Sequence, residues 1–168
     1  MGDVNRLRAA RVVAALTVLA LVGAAAWPVR AAEAEGEQTS AAISALAIRA
    51  DNEEKPYVDP ALAPIRNELK RFPYNAFRLA NRGGGTVERG KVGRFALIED
   101  YALAILVKRV TGDKVDMEIS VVRYEVVDGK RKERVVVRAP MTIRKGKYIL
   151  LGEFRLEEGV LVAAVAAR

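Results

Sequence analysis

The sequence predicts a mainly β protein: an antiparallel β-sandwich or small barrel of about eight strands, with one N-terminal helix packed on it. Three observations carry that expectation. Beyond Pro73, apolar residues recur at every second position in short runs, the pattern of strands with one buried face. Turn signals separate these runs at intervals of about 8 to 12 residues, the spacing of all-β domains. No alternation of strand and helix patterns appears, which argues against a parallel nucleotide-binding sheet.

The elements follow in order. Asp59-Pro60 is a helix start, with Asp as N-cap and Pro at the first helical position. Leu62, Ile65, Leu69 and Phe72 then share one helical face. Pro64 would remove a hydrogen bond from a helix begun at Pro60, so the regular α-helix is expected to start later, after a looser turn. Phe77 and Leu79 open the first strand, and Gly83, Gly84 and Gly85 are expected to break it. Thr86 to Arg89, Arg94 to Ile98 and Tyr101 to Val110 follow. Val115, Met117, Ile119 and Val121 share a face, after which Val122, Tyr124 and Val126 take over. That phase switch predicts a bulge near Val121. Asp128-Gly129 is the strongest hairpin signal in the chain. Glu133 to Ala139 returns from it, with Pro140 marking an edge or a bend. Met141 to Ile143, Tyr148 to Phe154 and Val160 to Ala166 complete the set.

The domain organisation is read from charge and hydropathy. Arg6, Arg8 and Arg11 precede the uncharged run Val12 to Val29, and small residues follow at Ala24-Ala25-Ala26 and Val29-Arg30-Ala31. This predicts a Sec-type signal peptide over residues 1–31. An uncleaved anchor is the alternative, weakened by Gly23 and Pro28. The expected location is therefore the bacterial periplasm or beyond. Residues 32–54 hold six acids and one base, while the remainder to residue 168 holds 23 bases and 14 acids. Residues 32–56 are expected to be an acidic flexible linker, and residues 57–168 the β-sandwich domain.

Composition removes much chemistry. The chain of 168 residues has no Cys and no His, so disulfides, thiolate nucleophiles, Cys or His metal sites and every Ser-His or Cys-His pair are excluded. Only Ser40, Ser44 and Ser120 follow the signal region, and Glu99, Asp100, Glu125 and Glu153 show no spacing that singles out a catalytic pair. Gly85 to Val92 has the G-x-x-x-x-G-K frame of a phosphate loop, but Val92 stands where a magnesium-holding Ser or Thr is required. Asp113, Asp116 and Glu118 fit the polar face of a strand better than a calcium loop. No catalytic residue, cofactor or metal site is expected, and the chain is not expected to be an enzyme. The basic residues Lys130, Arg131, Lys132 and Arg134, with Arg144, Lys145 and Lys147 at the next turn, are the candidate contacts for an anionic partner such as phospholipid head groups or an envelope polymer. Nucleic acid is disfavoured, since no aromatic residues interleave with these charges.

Phe72-Pro73-Tyr74, Phe77-Arg78-Leu79 and the stretch from Thr142 to Gly152 resemble a family of uncharacterised secreted or envelope-associated bacterial β-rich proteins. The late stretch is also similar to the closing strands of outer-membrane secretin β-domains, with Gly152-Glu153 where those have Gly-Gly. The chain is too short for a secretin channel. The resemblance implies fold and compartment and no site residues. The function expected is a non-catalytic extracytoplasmic binding or scaffolding domain of the cell envelope. The alternative is a binder of anionic polymers or lipids through basic hairpin tips.

Overall fold

The computed structural model describes residues 38–168. The segment read as a signal peptide, and the start of the acidic stretch, lie outside the described residues. Nine strands form two sheets. The five-stranded sheet has the order β2-β3-β1-β9-β8, and the four-stranded sheet β4-β5-β6-β7. The strands are β1 (Ser40–Asp51), β2 (Tyr57–Val58), β3 (Ala76–Glu88), β4 (Val92–Ala96), β5 (Tyr101–Thr111), β6 (Lys114–Val127), β7 (Lys130–Arg144), β8 (Tyr148–Arg155) and β9 (Val160–Ala167). Every strand pair is antiparallel except the two-residue pairing of β2 with β3. The mainly β sandwich read from the sequence is the fold observed.

The largest departure concerns the acidic stretch. Ser40–Asp51 is not a linker but β1, hydrogen-bonded on one side to β3 and on the other to β9. Its alternation serves two cores. Ala41, Ile43, Ala45 and Ala47 face the space between the sheets, together with residues of β5, β6 and β9. Leu46, Ile48 and Ala50 face the other way, against Leu62, Ile65 and Leu69. A strand buried on both faces shows no polar alternation. Its alanines are small because neighbouring layers approach closely, so its composition imitates that of a disordered segment.

The helix expectation holds in a shortened form. Pro60–Ile65 is a 3₁₀ segment, and α1 (Arg66–Leu69) is a single α-helical turn. Asp59 caps the start by accepting the Ala61 N–H at 2.8 Å. A 3₁₀ turn tolerates Pro64, because the hydrogen-bond ladder that proline would break does not extend through it. Leu62, Ile65 and Leu69 are buried, so the face read from their spacing is the face that covers the sheet.

The three glycines do not interrupt pairing. β3 runs through them, with Gly83, Gly84 and Gly85 opposite Ala45, Ser44 and Ile43. An added Cβ at Gly83 or Gly85 would lie 3.7 Å from Phe95, and one at Gly84 would meet the Ile43 carbonyl at 2.8 Å. The first two are ordinary contacts, whereas at Gly84 bare backbone is what lets β1 approach. Asn81 joins the two sheets at this corner, donating from Nδ2 to the carbonyls of Ala96 at 3.3 Å and Leu97 at 3.0 Å. The Tyr101 hydroxyl donates to the Arg155 carbonyl at 3.0 Å and ties β5 to the end of β8.

The hairpin at Asp128-Gly129 is as read, with φ of 54° and 70° at its two loop residues, the left-handed conformation of a type I′ turn. The irregularity near Val121 is also present. Val121 opposes Val137 and Val122 opposes Val135, so the additional residue is Val136, on β7 and not on β6. Pro140 lies within β7, which is an edge strand and continues past it to Arg144. At an edge, a residue without an N–H costs no ladder bond if that position faces outward.

Two tests follow. A chain beginning at Tyr57 lacks the strand between β3 and β9, and is expected to give a collapsed amide spectrum; one beginning at Gln38 keeps a dispersed spectrum. A folded domain starting at residue 57 would contradict the central position of β1. Leu62→Ala is expected to lower unfolding free energy by about 2–5 kcal/mol in urea titration, the cost of a cavity under the helical segment.

Candidate interaction edge and basic clusters

β5 accompanies β6 only as far as the Tyr101–Arg123 pair. Beyond it the Tyr124 N–H still donates to the Asp100 carbonyl at 2.8 Å, and Glu125–Val127 pairs with Lys130–Lys132 alone, so the hairpin tip projects as a two-stranded arm. Side chains on such an arm have no second layer to pack against, and Val126 is 77% exposed. Lys130, Arg131, Lys132 and Arg134 all lie on its return strand. Arg134 Nη1 is 3.4 Å from Glu125 Oε1, and the Arg131 guanidinium lies 4.1 Å from the centroid of the Tyr124 ring. Lys130 and Lys132 have no ion pair among the described residues.

The other predicted residues sit at the far end of the same strand. Arg144 Nε is 3.1 Å from Asp113 Oδ2. The Lys145 N–H donates to the Asp113 carbonyl at 2.7 Å, and Lys145 Nζ donates to Gln38 Oε1 at 2.7 Å. Lys147 closes the turn through its N–H to the Arg144 carbonyl at 3.1 Å. Lys130 and Arg144 are separated by the whole of β7, about 45 Å at the rise of an extended strand. The structure therefore brings the seven basic residues together as two groups and not as one patch.

Between these groups, the outer face of the four-stranded sheet is covered by its own ion pairs. Arg94 Nη1 reaches Glu133 Oε2 at 2.5 Å, from β4 to β7. Glu118 receives Lys108 Nζ at 2.9 Å and Arg138 Nε at 3.5 Å. The hydrogen bond from Lys108, with the nearby charge of Arg138, holds the Glu118 carboxyl below the ordinary glutamate value. Ala102, Ser120 and Val122 are buried on this face, under a shallow groove of about 160 Å³. Ser120 Oγ accepts from Arg138 Nε at 3.4 Å. Three cations, Arg94, Lys108 and Arg138, share the two carboxylates of Glu133 and Glu118, so most of the charge here is met locally.

The remaining candidates are dispersed. Glu99 and Asp100 occupy the turn before β5, Glu125 the arm, and Glu153 a positive-φ position in β8. Asp116 Oδ1 accepts from Thr142 Oγ1 at 2.7 Å. Among the described residues no group of three or more acidic side chains could hold a metal ion, and no helix is long and apolar enough to cross a membrane.

Pro140 points to an edge at this strand, but pattern reading does not identify how long that edge is. Among the described residues β7 pairs only with β6, and Lys130–Arg138 is exposed throughout. Val135, Val136 and Val137 are 43%, 42% and 37% exposed. Three successive valines without alternation were the available signal, because a strand with one buried face would not place apolar residues at consecutive positions. The chain matches no family model, no curated protein and no solved structure.

The depressed carboxyl of Glu118 generates a pH prediction. A carboxyl with a lowered folded value contributes stability above its unfolded value and loses it as pH falls through the folded one. The stability difference between the natural chain and Glu118→Gln is expected to be larger at about pH 7 than at about pH 2.5, because it shrinks as the folded carboxyl takes up its proton. Urea unfolding at the two pH values measures it, and an equal difference at both would rule out the ionic origin.

Proposed function

We propose that this chain is a non-catalytic binding or scaffolding domain acting in the bacterial cell envelope, and that it takes a protein partner by adding one extended segment to the free edge of β7. The observation that carries this reading is a 15-residue strand paired along one side only. Unpaired backbone groups along such an edge are a template for another strand. The basic start, apolar run and small-residue exit of residues 1–31 support the location.

The edge also has a chemistry. β7 carries Lys130, Arg131, Lys132, Arg134, Arg138 and Arg144 against Glu133 alone. Lys130 and Lys132, which have no ion pair among the described residues, lie on the arm. Two copies of this strand side by side would set cations against cations, and like charges opposite one another destabilise a strand pair. The bulge at Val136 and the proline at 140 further interrupt the edge, devices that discourage uncontrolled pairing. They leave Lys130–Val135 as its longest regular stretch. An acidic extended segment of another protein, laid along these six residues, fits that combination. Contact of Lys130 and Lys132 with anionic polymers or lipids is the second reading, favoured by their lack of ion pairs.

Backbone pairing and charge attraction are separable. The probe is an eight-residue extended peptide of alternating Glu and Val, with the same peptide N-methylated at alternate positions as its control. Strand addition predicts that the first peptide slows amide exchange over Lys130–Val135 by about tenfold or more, and that the N-methylated one does not. Equal binding of both would transfer the interaction to charge alone. Absence of binding by either at millimolar concentration would reject the edge as a docking strand.

A further inference from the structure

The outer face of the five-stranded sheet is only partly covered. The 3₁₀ segment and α1 bury Leu46, Ile48 and Ala50, whereas Ser44 is half-buried and Ala42 exposed on the same face of β1. Strand register describes what lies at the boundary. Ser44 is opposite Gly84 on β3 and Ala166 on β9, and Ala166 is opposite Tyr148 on β8. One row across four strands thus reads Gly, Ser, Ala, Tyr, and Gly84, Ser44 and Tyr148 of this row line the groove. Gly84 has no room for a larger residue, since a Cβ would meet the Ile43 carbonyl at 2.8 Å. Ala61, Pro64 and Ile65 make one wall, and the whole encloses about 600 Å³, within the range of small-molecule sites.

The side-chain charge of this groove is of one sign. Arg82 and Arg168 line it and no acidic residue does. Arg82 sits on the Leu46 row, on the helical side of Ser44. Arg168 follows β9 on the other side, its N–H donating to the Ala42 carbonyl at 2.8 Å. Two rows and two strands separate their backbones, about 17 Å at sheet spacings, so two long side chains can close on the Ser44 row from opposite sides. Neither side chain has an ion pair or hydrogen bond among the described residues. Elsewhere on the domain, Arg78, Arg94, Arg134, Arg138 and Arg144 each have a carboxylate partner. A guanidinium is built to receive the two oxygens of a carboxylate or phosphate.

We propose that this groove binds a small organic oxyanion, a carboxylate or phosphate carried on an apolar body. The guanidinium groups of Arg82 and Arg168 take the charge, the hydroxyl groups of Ser44 and Tyr148 supply further donors, and Leu46, Pro64 and Ile65 contact the body. The site is on the opposite sheet from β7 and does not depend on strand addition there.

The test is an amide chemical-shift titration of the chain with phenyl phosphate, benzoate and neutral benzyl alcohol. The anions are expected to move the Ser44, Gly83, Gly84 and Tyr148 signals with a Kd below about 1 mM, and the alcohol to bind at least tenfold more weakly. Tighter binding of phenyl phosphate would assign phosphate as the ligand class, and tighter binding of benzoate a carboxylate. Arg82→Gln, at an exposed position, is expected to weaken anion binding tenfold or more, with the rest of the spectrum unchanged. Arg168→Gln gives the same test if the first variant perturbs the fold. Arg134→Gln, on the arm, should have no effect. Equal affinity for the alcohol, full affinity in both Arg82→Gln and Arg168→Gln, or shifts centred on the arm would overturn the proposal.

Discussion

Burial of β1 on both faces is the constraint on which the rest of the molecule depends. One strand supplies Ile43 to the core between the sheets and Ile48 to the core beneath the helical segment. Its neighbour β9 does the same, with Leu161, Ala163 and Val165 inward and Val162 and Ala164 outward. Three layers therefore meet along two adjacent strands. Alanine at Ala45, Ala47, Ala163 and Ala164 keeps those layers close, and larger residues there would force the backbone apart.

The two sheets consequently have different surfaces. The five-stranded sheet is roofed by apolar contacts over part of its outer face, and where the roof ends a groove is left. Among the described residues the four-stranded sheet has no such roof. Arg94, Glu133, Glu118, Lys108 and Arg138 cover its middle as ion pairs, each of modest energy because it is solvent-exposed. This sheet ends in β7, and the strand that leaves it is basic. Closure at the β3–β4 corner, through Asn81 and Phe95, leaves β7 on the far side as the long unpaired edge.

Much of the architecture was legible because the signals were local. Alternation in Val115, Met117, Ile119 and Val121, the Asp128-Gly129 turn and the Asp59-Pro60 start each depend on a few neighbouring residues, and each corresponds to what the structure contains. The failures share a cause. Ser40–Asp51 reads as a linker because acids flank an alanine-rich run, yet those alanines are buried by strands remote in the chain. Gly83–Gly85 reads as a break because glycine is weak in an isolated strand, yet Ile43, Ser44 and Ala45 pair with it across the sheet. The basic groups were recognisable by charge, but not the acids that meet them: Arg144 finds Asp113 and Arg134 finds Glu125 only once β6 and β7 are in register. Ser44, in the groove, lies in the first of these segments, and Arg82 borders the second.

The sequence by itself determined the class of fold, the helical cover, the main turns and the absence of histidine and cysteine chemistry, since residue type and short-range spacing contain all of these. Only the tertiary structure decided which strand is central, how far the free edge runs, and where residues of β1, β3 and β8 line up into a groove. Those outcomes depend on pairing and register between distant segments, of which a short window such as Val135–Pro140 holds only a partial mark.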